Sequence, residues 1–467
     1  MSDTFSSELE RAEKQASQPK DAASLDPFGS EVGAAIAYKT CLWWHVGALM
    51  VAETISLGVL GLPHAVAMLG LVPYVTIIMT PSVADSAFHS GILLIVFLGL
   101  YATYTGYVIG QFRNKFPAVA NWADAAGIVG GPWAYEIIGF ASILLIVFIM
   151  AAHVLSFSIM MNVLTDHATC SIAFAVMGLV VCFVGGLPRT WKNISYTSIV
   201  SRASVVFAVG IALVGIAVAK LPDAGRIAIF NHESSFQAKI MALMTIILAY
   251  AGHVAFFSFI SELREPRDFP KALFFMQTVS TTFYCLMGAI IYYYAGPTVL
   301  SPALGSASPI VRKVAYGIAA PTIVVAGVVN GHVACKQIYL RMWKGTDVVH
   351  QKSFKAIGSW VGICAAVWTL SWVIAEAIPA FDAMLALIGA LFCGWFSYGF
   401  SGVLWIYMNK GKWWISKRKG CLTVLNGAIF LCGAFICGVG LWATGTELAA
   451  GHGGKSFSCA DNYHPSN

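Results

Sequence analysis

The repetition of long apolar runs constrains this chain more than any other feature. Eleven segments, at about 43–72, 91–111, 134–163, 170–187, 194–219, 238–261, 272–295, 315–340, 357–378, 382–408 and 421–444, match the roughly 20 residues that a helix needs to cross a bilayer. Only 11% of the residues are charged, against about 25% in soluble domains, so the chain could not wrap these runs in a water-facing surface. The expected fold is all-α and polytopic, with eleven transmembrane helices and a membrane body over residues 39–445. Residues 1–38 are polar and mixed in charge, which reads as a disordered cytosolic tail, and 446–467 read as an extracytoplasmic tail.

Loop charge sets the orientation. With the N-terminus inside, the inner loops and the N-terminal region carry twenty Lys and Arg, and the outer segments carry six. Positive charge concentrates on the cytosolic side, so the N-terminus is placed in the cytosol and the C-terminus outside. The net charge of +6 lies mostly in those short loops and implies no nucleic-acid partner. The one sequon, Asn193-Ile194-Ser195, falls in an inner loop and is not expected to be glycosylated. Most cysteines sit within apolar runs, where the thiol acts as a small hydrophobe. There is no CxxC pair, and neither a metal site nor a cofactor is expected. Cys170 and Cys459 both fall outside, which leaves a disulfide between them open.

Two spans contain residues that a plain anchor would avoid. Span 1 reads AETISLGVLGLPHA over 52–65, and the middle of span 6 reads AYAGH over 249–253. Glycine costs roughly 1 kcal/mol and proline roughly 3 kcal/mol in a helix interior, and a charge at membrane depth costs a few kcal/mol more. Glycines alone could serve close helix packing, and for Gly58 and Gly61 that reading stays open. Two breaks five spans apart have the spacing of a five-plus-five inverted repeat, in which paired discontinuous helices form a mid-membrane binding site. The free N–H groups of a half-helix suit an anionic group such as a substrate carboxylate.

The stretches AETISLGVLGLP, YTGYVIGQF (104–112), AGHVAFFSFISELREPRDFPKAL (251–273) and NGHVACKQIYLRMW (330–343) resemble the amino acid/auxin permease family, within it the fungal neutral amino acid permeases. The resemblance runs from about residue 40 to 445. It implies a LeuT-type fold and secondary active uptake of neutral amino acids, aliphatic and aromatic. It also implies that the backbone of Ser56, Leu57, Gly58, Val59 and Gly61 cradles the substrate carboxylate, while Tyr250, Ala251, Gly252 and His253 meet the amino group and side chain. Sodium-coupled relatives carry an asparagine on span 1 where Ala52 stands here, so a proton is favoured over sodium as the coupling ion. A nutrient-sensing receptor on the same scaffold, a sodium-coupled carrier and a vacuolar carrier are the alternatives. The short N-terminal tail favours the plasma membrane. An enzyme is not expected, because no HExxH, GxSxG or clustered carboxylates occur within the spans.

Further expectations concern charge. Glu53 on span 1 and Arg202 on span 5 are expected to pair, since an unpaired charge at that depth is costly, with Glu53 carrying the coupling proton or merely bridging two spans. Glu262, Arg264 and Arg267 are expected to form an ion-pair gate at the cytosolic mouth, and Lys336 to extend toward the interface. Residues 74–90, YVTIIMTPSVADSAFHS, look foreign: span 2 is complete from Gly91, and removing them joins LVP to GILLIVF. Their 51 nucleotides of coding length match a small intron, and codon choice permits splice signals at Pro73-Tyr74-Val75, Ala84-Asp85 and His89-Ser90. A genuine outer loop is the alternative.

Overall fold

The computed structural model describes residues 39, 41–55, 58–70, 91–189, 191–219, 224–226, 234–343, 346, 348, 353–450 and 455–462, without the side chains of 191–199 and 202. Its elements are helices: α1 (Trp43–Thr54), α2 (Gly58–Leu69), α3 (Gly91–Lys115), α4 (Trp122–Thr165), α5 (Ser171–Gly186), α6 (Trp191–Ala219), α7 (Phe236–Ala249), α8 (Phe256–Glu262), α9 (Phe269–Ala295), α10 (Pro309–Met342), α11 (Phe354–Ala377), α12 (Phe381–Ile388), α13 (Phe400–Met408) and α14 (Lys417–Ala449). A π-helical stretch, Gly389–Gly399, joins α12 to α13. Among the described residues eight helices are long and apolar enough to cross a membrane, nine when α1 and α2 count as one bent span. The eleven read from sequence therefore rest on two shorter apolar helices, Ser171–Gly186 and Ala203–Ala219.

Both expected breaks are present. The axes of α1 and α2 differ by 56°. In span 6, α7 stops at Ala249, and a 3₁₀ turn over Gly252–Ala255 leads into α8. The broken sixth span lies at the centre, with 89% of its most apolar stretch buried, against 28% in α11 and α14. Contacts of α2 with α7, and of α1 with the 3₁₀ turn over Gly252–Ala255, bring the two breaks together.

One boundary differs from expectation. Span 3 was placed at 134–163, but α4 begins at Trp122, capped by the Asn121 side chain accepting from the Asp124 N–H. Forty-four helical residues would extend roughly 66 Å at 1.5 Å per residue, about twice a hydrocarbon core. Gly131, at φ 72° and followed by Pro132, breaks the helix, so residues 122–130 form a separate segment before the span. Nine residues that include Asp124 are too few to register in a search for apolar runs of about 20.

On the face that loop charge places outside, Cys170 and Cys459 form a disulfide. The C-terminal segment is also held by hydrogen bonds from Ser171 Oγ to Ala460 O, from Asn162 Nδ2 to Asn462 Oδ1 and from Ser456 Oγ to Ala377 O. A membrane-impermeant maleimide added to intact cells should label these two cysteines only after reduction. Labelling without a reductant would exclude the bond.

α2 ends at Gly70, whose φ of 96° is a conformation that favours glycine. The Gly91 N–H donates to the Gly70 carbonyl at 2.8 Å, so the chain leaves α2 and enters α3 at one point. Residues 74–90 lie outside the described residues. Without them Gly91 would be the fourth residue after Gly70, and the same bond would close an ordinary i to i+4 turn. We expect a chain deleted of 74–90 to reach the membrane and transport as the full chain does, and the mature transcript to lack these codons. A transcript that keeps them, with a deletion that fails to fold, would establish a genuine loop.

Candidate functional site

The two breaks enclose a cavity of about 60 Å³ walled by Glu53, Thr54, Gly58, Ile149, Ala152, His153, Leu248, Ala249, Ala251, Gly252, Asn330, Leu385 and Ile388. A second, of about 20 Å³, lies beside it and shares Glu53 and Asn330 with it. A single water needs about 10–15 Å³ of such space, so the larger cavity holds a few waters and must widen for a large substrate side chain.

Backbone groups dominate its polar wall. α1 ends with the Thr54 carbonyl and α7 with the Ala249 carbonyl, and the Tyr284 hydroxyl from α9 lies 2.6 Å from the first and 2.8 Å from the second. α2 begins at Gly58, so its first N–H groups have no partner within the helix and carry its positive end. A Cβ at Gly58 would lie 2.8 Å from Ala249 Cα. That glycine therefore serves two purposes, close packing of the half-helices and access to the backbone.

The expected site residues divide. Gly58, Ala251 and Gly252 line the larger cavity, whereas Val59, Gly61, Tyr250 and His253 do not. A Cβ at Gly61 would meet Thr245 and Leu385, which makes it a packing position. The Tyr250 hydroxyl donates to Ile95 O on α3 at 2.9 Å. His253 is buried, with Nδ1 3.1 Å from Tyr250 O and Nε2 2.9 Å from Ala102 O, so both rings face α3. Ser56 and Leu57 lie outside the described residues. Sequence reasoning gave no role to Asn330, whose Nδ2 donates to Ala326 O at 3.0 Å. A buried amide within an apolar span was the available signal. His153 is likewise buried, with Nδ1 2.9 Å from Ile323 O.

Glu53 stands in the last turn of α1. Its Oε2 is buried and has no hydrogen-bond partner among the described residues. Arg202, the expected partner, follows Ser201, which lines the smaller cavity with Glu53. The Arg202 side chain lies outside the described residues.

Contacts between elements flank the cavity toward both ends of the spans. At the end that loop charge assigns to the cytosol, Cys41 pairs with Leu263 as an isolated bridge: the Cys41 N–H donates to Glu262 O at 3.2 Å, and the Arg264 N–H donates to Cys41 O at 2.9 Å. Glu262 lies 3.9 Å from Lys336 Nζ on α10, so Lys336 faces the inner end of span 6 rather than the interface. The side chains of Arg264 and Arg267 are exposed and belong to no salt bridge among the described residues, so of the three expected gate residues only Glu262 forms an ion pair there. Beside this closure, burial and repulsion from the Arg113 guanidinium hold the Lys39 ammonium below the usual lysine range. At the opposite end His64 of α2 lies 3.9 Å from Asp382 of α12 and bonds to Val299 O at 2.9 Å.

Comparison with known proteins follows this geometry. An N amino acid transport system protein of Neurospora crassa is 30% identical over 430 residues, covering 90% of this chain and 88% of that one. Transmembrane transporters of Gibberella moniliformis and Fusarium pseudograminearum are each 25% identical over 91% of this chain and 89% and 88% of theirs. Among solved structures, a sodium-coupled sialic acid symporter in a substrate-bound outward-open state aligns over 93% of this chain and 95% of its own, with 11% identity and a TM-score of 0.49. MhsT in complex with L-phenylalanine aligns over 88% and 99%, with the same identity and score. Residues 88–446 match the model of the family described as transmembrane amino acid transporter protein, and the chain belongs to that family of multi-pass membrane transporters.

Proposed function

We propose that this transporter imports neutral amino acids, aliphatic and aromatic, across the plasma membrane in symport with a proton. The observation that carries the reading is the cavity between the two breaks. It offers backbone groups of both polarities, apolar walls from Ile149, Leu248, Leu385 and Ile388, and no Lys or Arg among its lining residues. The N-terminus of α2 suits the carboxylate of a zwitterion, and the Thr54 and Ala249 carbonyls suit its ammonium group. An apolar remainder favours an uncharged side chain, because a buried charge needs a partner.

Proton coupling is assigned to Glu53. Its Oε2 has no hydrogen-bond partner among the described residues; a charge at membrane depth costs several kcal/mol unless paired, and carrying a proton removes that charge. Its place in the wall shared by both cavities sets it next to the substrate and toward the cytosolic half of span 1.

Purified protein in sealed vesicles tests the reading. An imposed pH gradient, acid outside, should concentrate labelled leucine or phenylalanine, and a sodium gradient alone should not. Failure of either amino acid to accumulate under both gradients would exclude import of this class. Glu53→Gln should abolish pH-driven accumulation yet retain exchange of internal for external substrate. Accumulation by that variant would remove Glu53 from coupling.

Gly58→Val should bring uptake and exchange to background while the protein still reaches the membrane, because the added side chain strikes the α7 backbone and covers the start of α2. Normal transport by Gly58→Val would separate this break from substrate binding.

A further inference from the structure

Far from the central cavity, the cytosolic ends of α3, α13 and α14 enclose an open cavity of about 710 Å³ lined by Gln111, Asn114, Lys115, Asn409, Arg418 and Lys419, among others. We propose that it is a binding site for the headgroup of an anionic phospholipid of the cytosolic leaflet, a phosphorylated inositol lipid.

Charge comes first. The lining holds three cations and no carboxylate. No Asp or Glu occurs from Gly91 to Ala123 or from Ala383 to Thr446, so the helices that build the cavity supply no anion to neutralise it. Lys115 donates to Met408 O at 2.7 Å, and Lys419 donates to Asn409 Oδ1. An ammonium group has three donors, so each is fixed in place and keeps donors for a ligand. The amides of Gln111, Asn114 and Asn409 and the Ser416 hydroxyl, also in the lining, provide neutral donors and acceptors suited to ring hydroxyls.

The neighbouring surface then selects a lipid over a soluble anion. The loop that enters α14 reads NKGKWWISKRKG over 409–420, with Trp414 69% and Ile415 72% exposed. Tryptophan concentrates at the membrane interface, and basic pockets between transmembrane helices on the cytosolic side suit phosphoinositide headgroups. The cations lie on the side that loop charge assigns to the cytosol, where such lipids reside. Acyl chains would run along Trp414 and Ile415 while the phosphates meet Lys115, Arg418 and Lys419.

Native mass spectrometry of the full-length protein in detergent tests the site, with phosphatidylinositol 4-phosphate as probe and phosphatidylcholine as reference. The phosphoinositide should be retained preferentially, and exposed Arg418→Gln should weaken its retention about fivefold, the effect of one basic residue at a membrane surface. Lys455→Gln, on the outer face, should leave it unchanged. Equal retention of the two lipids by the wild type, or equal retention of the phosphoinositide by wild type and Arg418→Gln, would overturn the proposal. Soluble inositol 1,4-bisphosphate should compete only at far higher concentration. Competition at the concentration of the lipid would mean a soluble-anion site and overturn the lipid assignment. Wild-type retention and competition need no variant, so a substitution that failed to fold would leave the test decisive.

Discussion

The Tyr284 hydroxyl, set between the carbonyls of Thr54 and Ala249, is the contact on which the centre of this molecule depends. In a bilayer every backbone polar group needs an internal partner, and irregular backbone at mid-depth is tolerated only where protein or a wet cavity meets it. Breaking two helices at one level frees carbonyls from both. One hydroxyl carries one proton and can donate to only one carbonyl at a time. On the proposed reading, the substrate ammonium group is the donor that meets the other.

The membrane class and both breaks were legible in the sequence because their signals are compositional: apolar runs, then Gly, Pro and Glu where an anchor would have none. Side-chain direction was not legible. Tyr250 and His253 adjoin the break yet turn toward α3, since one turn of irregular backbone decides which way they face and no periodicity marks it. Asn330 lies on an unbroken helix, between Gly327 and Gly331, which pack against His153 and Trp368. Its approach to the cavity depends on how α10 packs rather than on its own neighbours in sequence.

The cytosolic closure was hard to read for a different reason. A charge-rich loop, SELREPRDFPKA, suggested side-chain ion pairs, but the contact that joins the start of span 1 to the end of span 6 is made by the backbones of Cys41 and Leu263. Backbone pairing has no residue signature. Arg264 contributes its N–H and leaves its side chain exposed. Among the described residues the loop's ion pairs are Glu262 with Lys336 of α10 and Asp268 with Lys271 of α9.

The two closures differ in kind, and that difference bears on how the carrier cycles. The outer one joins α2 to α12 through His64 and Asp382, both partly exposed. The inner one is two backbone hydrogen bonds and a half-buried ion pair. Both half-helices of span 1 take part, α1 through the residues just before it and α2 through His64, with Gly58 against Ala249 between them. On the proposed reading, a ligand in the central cavity would contact the ends of α1, α2 and α7 together, and its differential affinity would shift the balance between states in which one closure or the other is open. On the proton-coupled reading, Glu53 adds a second lever at the same joint. Its charge state changes the cost of exposing or burying the end of α1, so proton and substrate act on one hinge rather than communicate across the molecule.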